Sequence, residues 1–101
     1  MKFITFWQTL AKQLAVQKDF TTLKRHTKFT AIFSKNFVIV TPQNTQYVRQ
    51  VSYKDFEKVW NKATKLPSYE QFNSSNYHDE TFHITYILTL IKLVIGTEKI
   101  E

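Results

Sequence analysis

The stretch from Lys28 to Thr64 constrains this chain more than any other part of it. It reads KFTAIF, SKN, FVIVT, PQNT, QYVRQV and then SYKDFEKVWNKAT, which is three short strand patterns joined by tight turns and leading straight into an amphipathic helix. Phe29, Ala31 and Phe33 alternate with Thr30 and Ile32, Phe37 to Val40 is a continuous apolar run, and Tyr47, Arg49 and Val51 alternate with Gln46, Val48 and Gln50. Period-two alternation is the mark of a half-buried strand, and the turns Ser34-Lys35-Asn36 and Pro42-Gln43-Asn44-Thr45 are short enough for antiparallel hairpins. The expected sheet carries apolar residues on both faces. Either helices cover both sides, or one side meets a partner.

Ser52 opens the following helix. It is a favoured N-cap, Asp55 stands at the third helical position as in a capping box, and Val51 is placed to staple onto Phe56. Tyr53, Phe56, Val59, Trp60 and Ala63 share the core face, and Leu66-Pro67 ends the helix. Before the meander, apolar residues recur at 3, 7, 10 and 14, which predicts a first helix over 3–16. The connector from Gln17 to Thr27 is polar and basic, anchored by Phe20 and Leu23, with room for a helical turn. After the second helix, Lys65 to Glu80 is a long polar segment in which Ser68 and Gln71 are spaced to cap one turn. From Thr81 onward, polar residues at 81, 85, 89 and 92 fit a helical stripe, whereas the β-branched content fits a strand. Length and the position of Gly96 decide for an apolar C-terminal helix. The expectation is one α+β domain over 1–101, with an N-terminal helix, a three-stranded antiparallel meander, an amphipathic helix and a C-terminal helix.

Composition removes most catalytic chemistry. The 101 residues include one glycine and no cysteine, so glycine-rich phosphate loops, dinucleotide fingerprints, thiolate metal sites, disulfides and cysteine nucleophiles are all excluded. Turns that need positive φ fall to asparagine, with Asn36 and Asn44 the candidates. His78 and His83 are five residues apart, too far round a helix to share a metal, and Asp79 and Glu80 are acids suited to a helix N-terminus. His26 has no orienting acid beside it. No enzymatic activity, cofactor or metal is expected. The N-terminus lacks the plan of a secretory signal, and the longest apolar run, 84–95, is too short to span a bilayer, so the expected location is cytoplasmic. The bias toward Lys, Asn, Ile, Phe and Tyr suits an AT-rich coding sequence, as in low-GC bacteria and their phages.

Charge is the main functional signal. Residues 1–65 hold 12 Lys and Arg against three acids, a net of +9, while residues 66–101 hold two against five, a net of −3. Lys54, Lys58 and Lys62 recur at four-residue spacing on one helix face, where like charges repel by roughly 0.2 to 0.5 kcal/mol per pair. Joined by Lys24, Arg25, Lys28 and Arg49, they would form the electrostatic footprint of a nucleic-acid binder that contacts phosphates rather than bases. Lys35 is a further candidate for that face. Arg49 shares a strand face with Val51, so it must reach the rim or find an acid such as Asp55. Phe6, Trp7, Phe29, Phe33, Phe37, Phe56 and Trp60 fit the core by period. Tyr69, Phe72 and Tyr77 fall on no period and are the candidate anchors for a protein partner. The competing expectation is therefore a protein-interaction module or homodimer that uses the sheet face or the C-terminal helix.

Overall fold

A computed structural model describes residues 1–45 and 47–101; Gln46, at the start of the third expected strand, lies outside the described residues. The elements in chain order are α1 (Phe3–Gln13), β1 (Lys18–Thr21), β2 (Lys28–Ser34), β3 (Phe37–Pro42), β4 (Arg49–Ser52), α2 (Tyr53–Ala63), two short 3₁₀ turns (Ser68–Glu70 and Ser74–Tyr77) and α3 (Ile84–Ile95). The strands form one antiparallel sheet in the order β1-β2-β3-β4.

The sheet therefore has four strands rather than three. The extra one, β1, lies in the connector expected to be polar and at most helical. Its four residues contain a single apolar side chain, too few for alternation to show. Pairing with β2 makes it a strand: Phe20 sits opposite Phe29, and their rings stack 5.4 Å apart. Thr22 closes the hairpin. Its N–H donates to Thr27 O and its hydroxyl accepts from Thr27 N, both at 2.9 Å, while His26 takes a positive φ of 55° in the turn.

The turn between β2 and β3 places Lys35 and Asn36 at φ of 52° and 67° between paired Ser34 and Phe37. Two consecutive positive φ values suit the right-handed twist of a two-residue hairpin. Asn44 is not among the positive-φ residues. The last strand is shorter than the alternation suggested, beginning at Arg49. Continued pairing would bring Pro42 opposite Tyr47, and Pro42 has no N–H to give the ladder. Tyr47 instead donates its N–H to Thr45 Oγ1 at 3.4 Å.

Register divides the sheet into two faces. Phe29, Ala31, Phe33, Val38, Val40 and Val51 point inward, and all three helices pack on that side. Phe6, Trp7, Leu10 and Leu14, from α1 and its C-terminal end, meet Phe56, Val59, Trp60 and Ala63 of α2 and Ile87, Leu90 and Ile91 of α3 in one core. Seven rings crowd one end: Trp7 lies edge-on to Phe33, Tyr53 and Phe56, Phe6 stacks on Trp60 at 5.0 Å, and Phe3 completes the cluster. The first helix stops at Gln13 rather than Val16, because Leu14 turns its carbonyl to accept Phe33 N at 2.8 Å and hands the chain to the sheet. Helix α2 begins as expected, with Ser52 Oγ accepting the N–H of Asp55 at 3.2 Å.

In α3 the five consecutive residues Ile87, Leu88, Thr89, Leu90 and Ile91 are all buried, which is burial around the helix rather than on one strand face. Gly96 ends it at a φ of 65°. The segment after α2 is held by a buried amide. Gln71 Nε2 donates to Ala63 O at 2.9 Å and to Ile100 O at 2.8 Å, while its Oε1 accepts from Ile100 N at 2.9 Å. Ser68 is not a cap here; it lies inside the first 3₁₀ turn, after Pro67. Among the described residues, no helix is long and apolar enough to cross a membrane.

Candidate nucleic-acid interface

The seven cations singled out in the sequence occupy three places. Lys24 and Arg25 lie in the β1–β2 turn and Lys28 starts β2, so these three come together, all exposed. Lys54 and Lys58 are exposed and Lys62 half-buried on α2, whose opposite face enters the core above the inner side of the sheet. Arg49 points inward from β4 and is half-buried, with its guanidinium 5.9 Å from the centroid of the Tyr86 ring. It does not pair with Asp55. Its Nε is buried without a hydrogen-bond partner, so the aromatic face supplies its contact.

The outer face of the sheet is not part of the core. Ile32 stands opposite Ile39, which stands opposite Gln50, and Phe37 lies between Ser34 and Ser52. Ile32, Phe37 and Ile39 are half-buried and lie outside the core cluster. For Phe37 this corrects its placement in the core: the two-residue turn sets its register with Ser34, and the pleat then aims it outward.

The same face is concave over β1, β2 and β3. A shallow cleft of about 820 Å³ is lined by Gln17, Asp19, Phe20, Thr21, Lys28, Phe29, Thr30, Thr41 and Gln43. Pairing sets Asp19, Thr30 and Thr41 on one rung and Thr21 beside Lys28 on the next, with Gln43 N donating to Lys28 O at 2.9 Å. Apart from Lys28, none of these polar residues stood out in the sequence. The available signal was the threonine that alternates with core residues in each of three strands, and it becomes visible only once β1 is known to be a strand.

A second cleft, of about 230 Å³, lies between the start of α2 and the start of α3, lined by Asp55 and by the run from His78 to His83. His78 Nε2 is 3.2 Å from Asp79 Oδ1, both exposed, and His83 Nδ1 is buried without a partner. Among the described residues, no group of three or more His, Asp or Glu side chains could hold a metal ion.

The three candidate aromatic anchors also separate. Tyr69 is 83% exposed, Phe72 is half-buried with Lys92 Nζ 4.8 Å above its ring, and Tyr77 is fully buried. Tyr77 is thus a core residue: its hydroxyl donates to Gln71 O at 2.6 Å, and burial, aided by the charge of Glu80, pushes its pKa up to about 12. Phe82, not singled out by the sequence, is 97% exposed just before α3. No protein-family model matches the chain, and neither a curated protein nor a solved structure is significantly similar to it.

Proposed function

We propose that this is a small basic, non-enzymatic protein that binds nucleic acid through its phosphate backbone. The observation that carries this reading is the state of its cations. The chain holds 14 Lys and Arg and a formal net charge of +6. Among the described residues, the carboxylate contacts of basic groups within 4 Å are those of the N-terminal ammonium with Glu101 and of the His78 imidazole with Asp79. No lysine or arginine side chain among them is neutralised by a carboxylate. Unpaired cations repel one another, and a polyanion relieves that repulsion while releasing its own condensed counterions.

The test is fluorescence anisotropy with a labelled oligonucleotide across a salt series. If three to five phosphates are neutralised, affinity should fall by roughly 30- to 300-fold between about 50 and 200 mM salt. Absence of saturable binding at low salt, or binding indifferent to salt, would rule the reading out.

One observation favours a second reading, a surface for a protein partner or a second copy. Ile32, Phe37 and Ile39 form an apolar strip on the outer face of the sheet. The C-terminal helix is a poorer candidate, since Ile87, Leu88, Leu90, Ile91 and Ile95 are already buried in the core. Light scattering that shows a monomer throughout the micromolar range would count against self-association.

A further inference from the structure

We infer that the nucleic acid is single-stranded, that it lies in the outer-face cleft against Lys28 and the Lys24–Arg25 turn, and that the α2 lysines do not contact it. This rests on the nucleic-acid reading above and adds to it a location and a strand state. The fold puts the two basic clusters on opposite sides of a two-layer molecule, so one rigid ligand segment cannot lie on both.

The cleft side has the better chemistry. Lys28 in the cleft and the adjoining Lys24–Arg25 turn bring three cations to this concave surface against one carboxylate, that of Asp19. A concave surface focuses such a field, whereas a convex helix spreads it into solvent. The cleft joins Lys28 to the hydroxyls of Thr21, Thr30 and Thr41. Ammonium and hydroxyl groups are the donors that phosphate and sugar oxygens accept from. Beyond these rungs the face turns apolar through Ile39 and ends at Phe37, a ring on which an unstacked base can lie. On α2, by contrast, Asp55 and Glu57 interleave with the lysines, and Lys62 is half-buried. A volume of about 820 Å³ is the scale of a nucleotide or two of a single strand.

Asp19 is the one group in the cleft that opposes this ligand, because its carboxylate shares a rung with Thr30 and Thr41. Removing its charge should tighten binding by roughly two- to fivefold, the size of one unit charge repelled at close range in water.

The experiment compares two triple variants, Lys24→Glu/Arg25→Glu/Lys28→Glu and Lys54→Glu/Lys58→Glu/Lys62→Glu. Each lowers the formal net charge from +6 to zero, so general attraction falls equally and any difference reports contact. The probe is a fluorescein-labelled oligothymidylate of about 12 nucleotides, near the footprint of a small single-strand-binding surface. The cleft triple should lose at least tenfold more affinity than the helix triple, and its salt slope should shrink by about two to three. Thr30→Val/Thr41→Val, which leaves charge and strand propensity intact, should weaken binding about threefold, and Asp19→Asn should strengthen it. Equal losses in the two triples, or a larger loss from the helix triple, would overturn the cleft assignment while leaving the nucleic-acid reading standing. Unlabelled duplex that competes as well as the single strand would overturn the strand-state assignment. Wild-type protein that fails to bind the oligonucleotide at low salt would overturn both readings together.

Discussion

The two faces of the sheet come from the same alternating residues but meet different surroundings. The inner face, Phe29, Ala31, Val38, Val40 and Val51, is buried beneath three helices. On the outer face Thr30, Ile32, Phe37, Ile39 and Thr41 are half-buried and Thr21, Lys28 and Gln50 exposed, with hydroxyls and apolar groups side by side. A residue buried on folding contributes to stability whatever else the protein does. A half-exposed apolar group contributes less, and this is the face on which the proposed contact is made.

The largest expected effect separates the two sides directly. Phe56→Ala, which empties a fully buried position beside Trp7 and Phe6, should lower unfolding free energy by about 3 to 5 kcal/mol. Ile39→Ala on the outer face should cost roughly 1 kcal/mol or less. Urea unfolding of both variants checks this, and comparable losses would mean that the outer face is part of the core.

A smaller effect tests the polar anchor. Gln71→Ala removes three hydrogen bonds and leaves the N–H of Ile100 without its partner, at a cost of about 2 to 3 kcal/mol. Hydrogen exchange should show the amide of Ile100 losing protection while those of β2 and β3 keep theirs.

Tyr77 supplies an effect that appears only at high pH. Its folded pKa, about 12, lies above the ordinary value of 10, so the folded state holds the proton more tightly. The resulting stability is complete below pH 10 and is lost as pH rises from 10 toward 12, at up to ~1.4 kcal/mol per pH unit. Chemical denaturation across that range should show the decline, and Tyr77→Phe should abolish its tyrosine component.

Much of the architecture was legible because local and tertiary signals agreed. Ser52 caps α2 by accepting the backbone N–H of Asp55, as its spacing demanded, and Gly96 ends α3. What was hidden depends on partners distant in sequence. Lys18–Thr21 becomes a strand only against β2, and Phe37 faces outward because a two-residue turn sets its register. Gln71 has the spacing of a helix cap and is a clamp on residue 100, while Tyr77 has the sequence setting of a surface anchor and is buried beneath the backbone it bonds. The cations were visible one by one. Their division between the β1–β2 hairpin, the Tyr86 ring and α2 follows from the fold and was not encoded in their spacing.

Mapping backbone amide shifts as an unlabelled oligothymidylate is added to the isotopically labelled protein tests whether one sheet face serves folding and the other binding. The expected result is a contiguous set of shifts at Thr21, Lys28, Thr30, Thr41 and the Lys24–Arg25 turn, with the exposed lysines of α2 unmoved. Shifts centred on Lys54, Lys58 and Lys62, or none on the outer face, would contradict it.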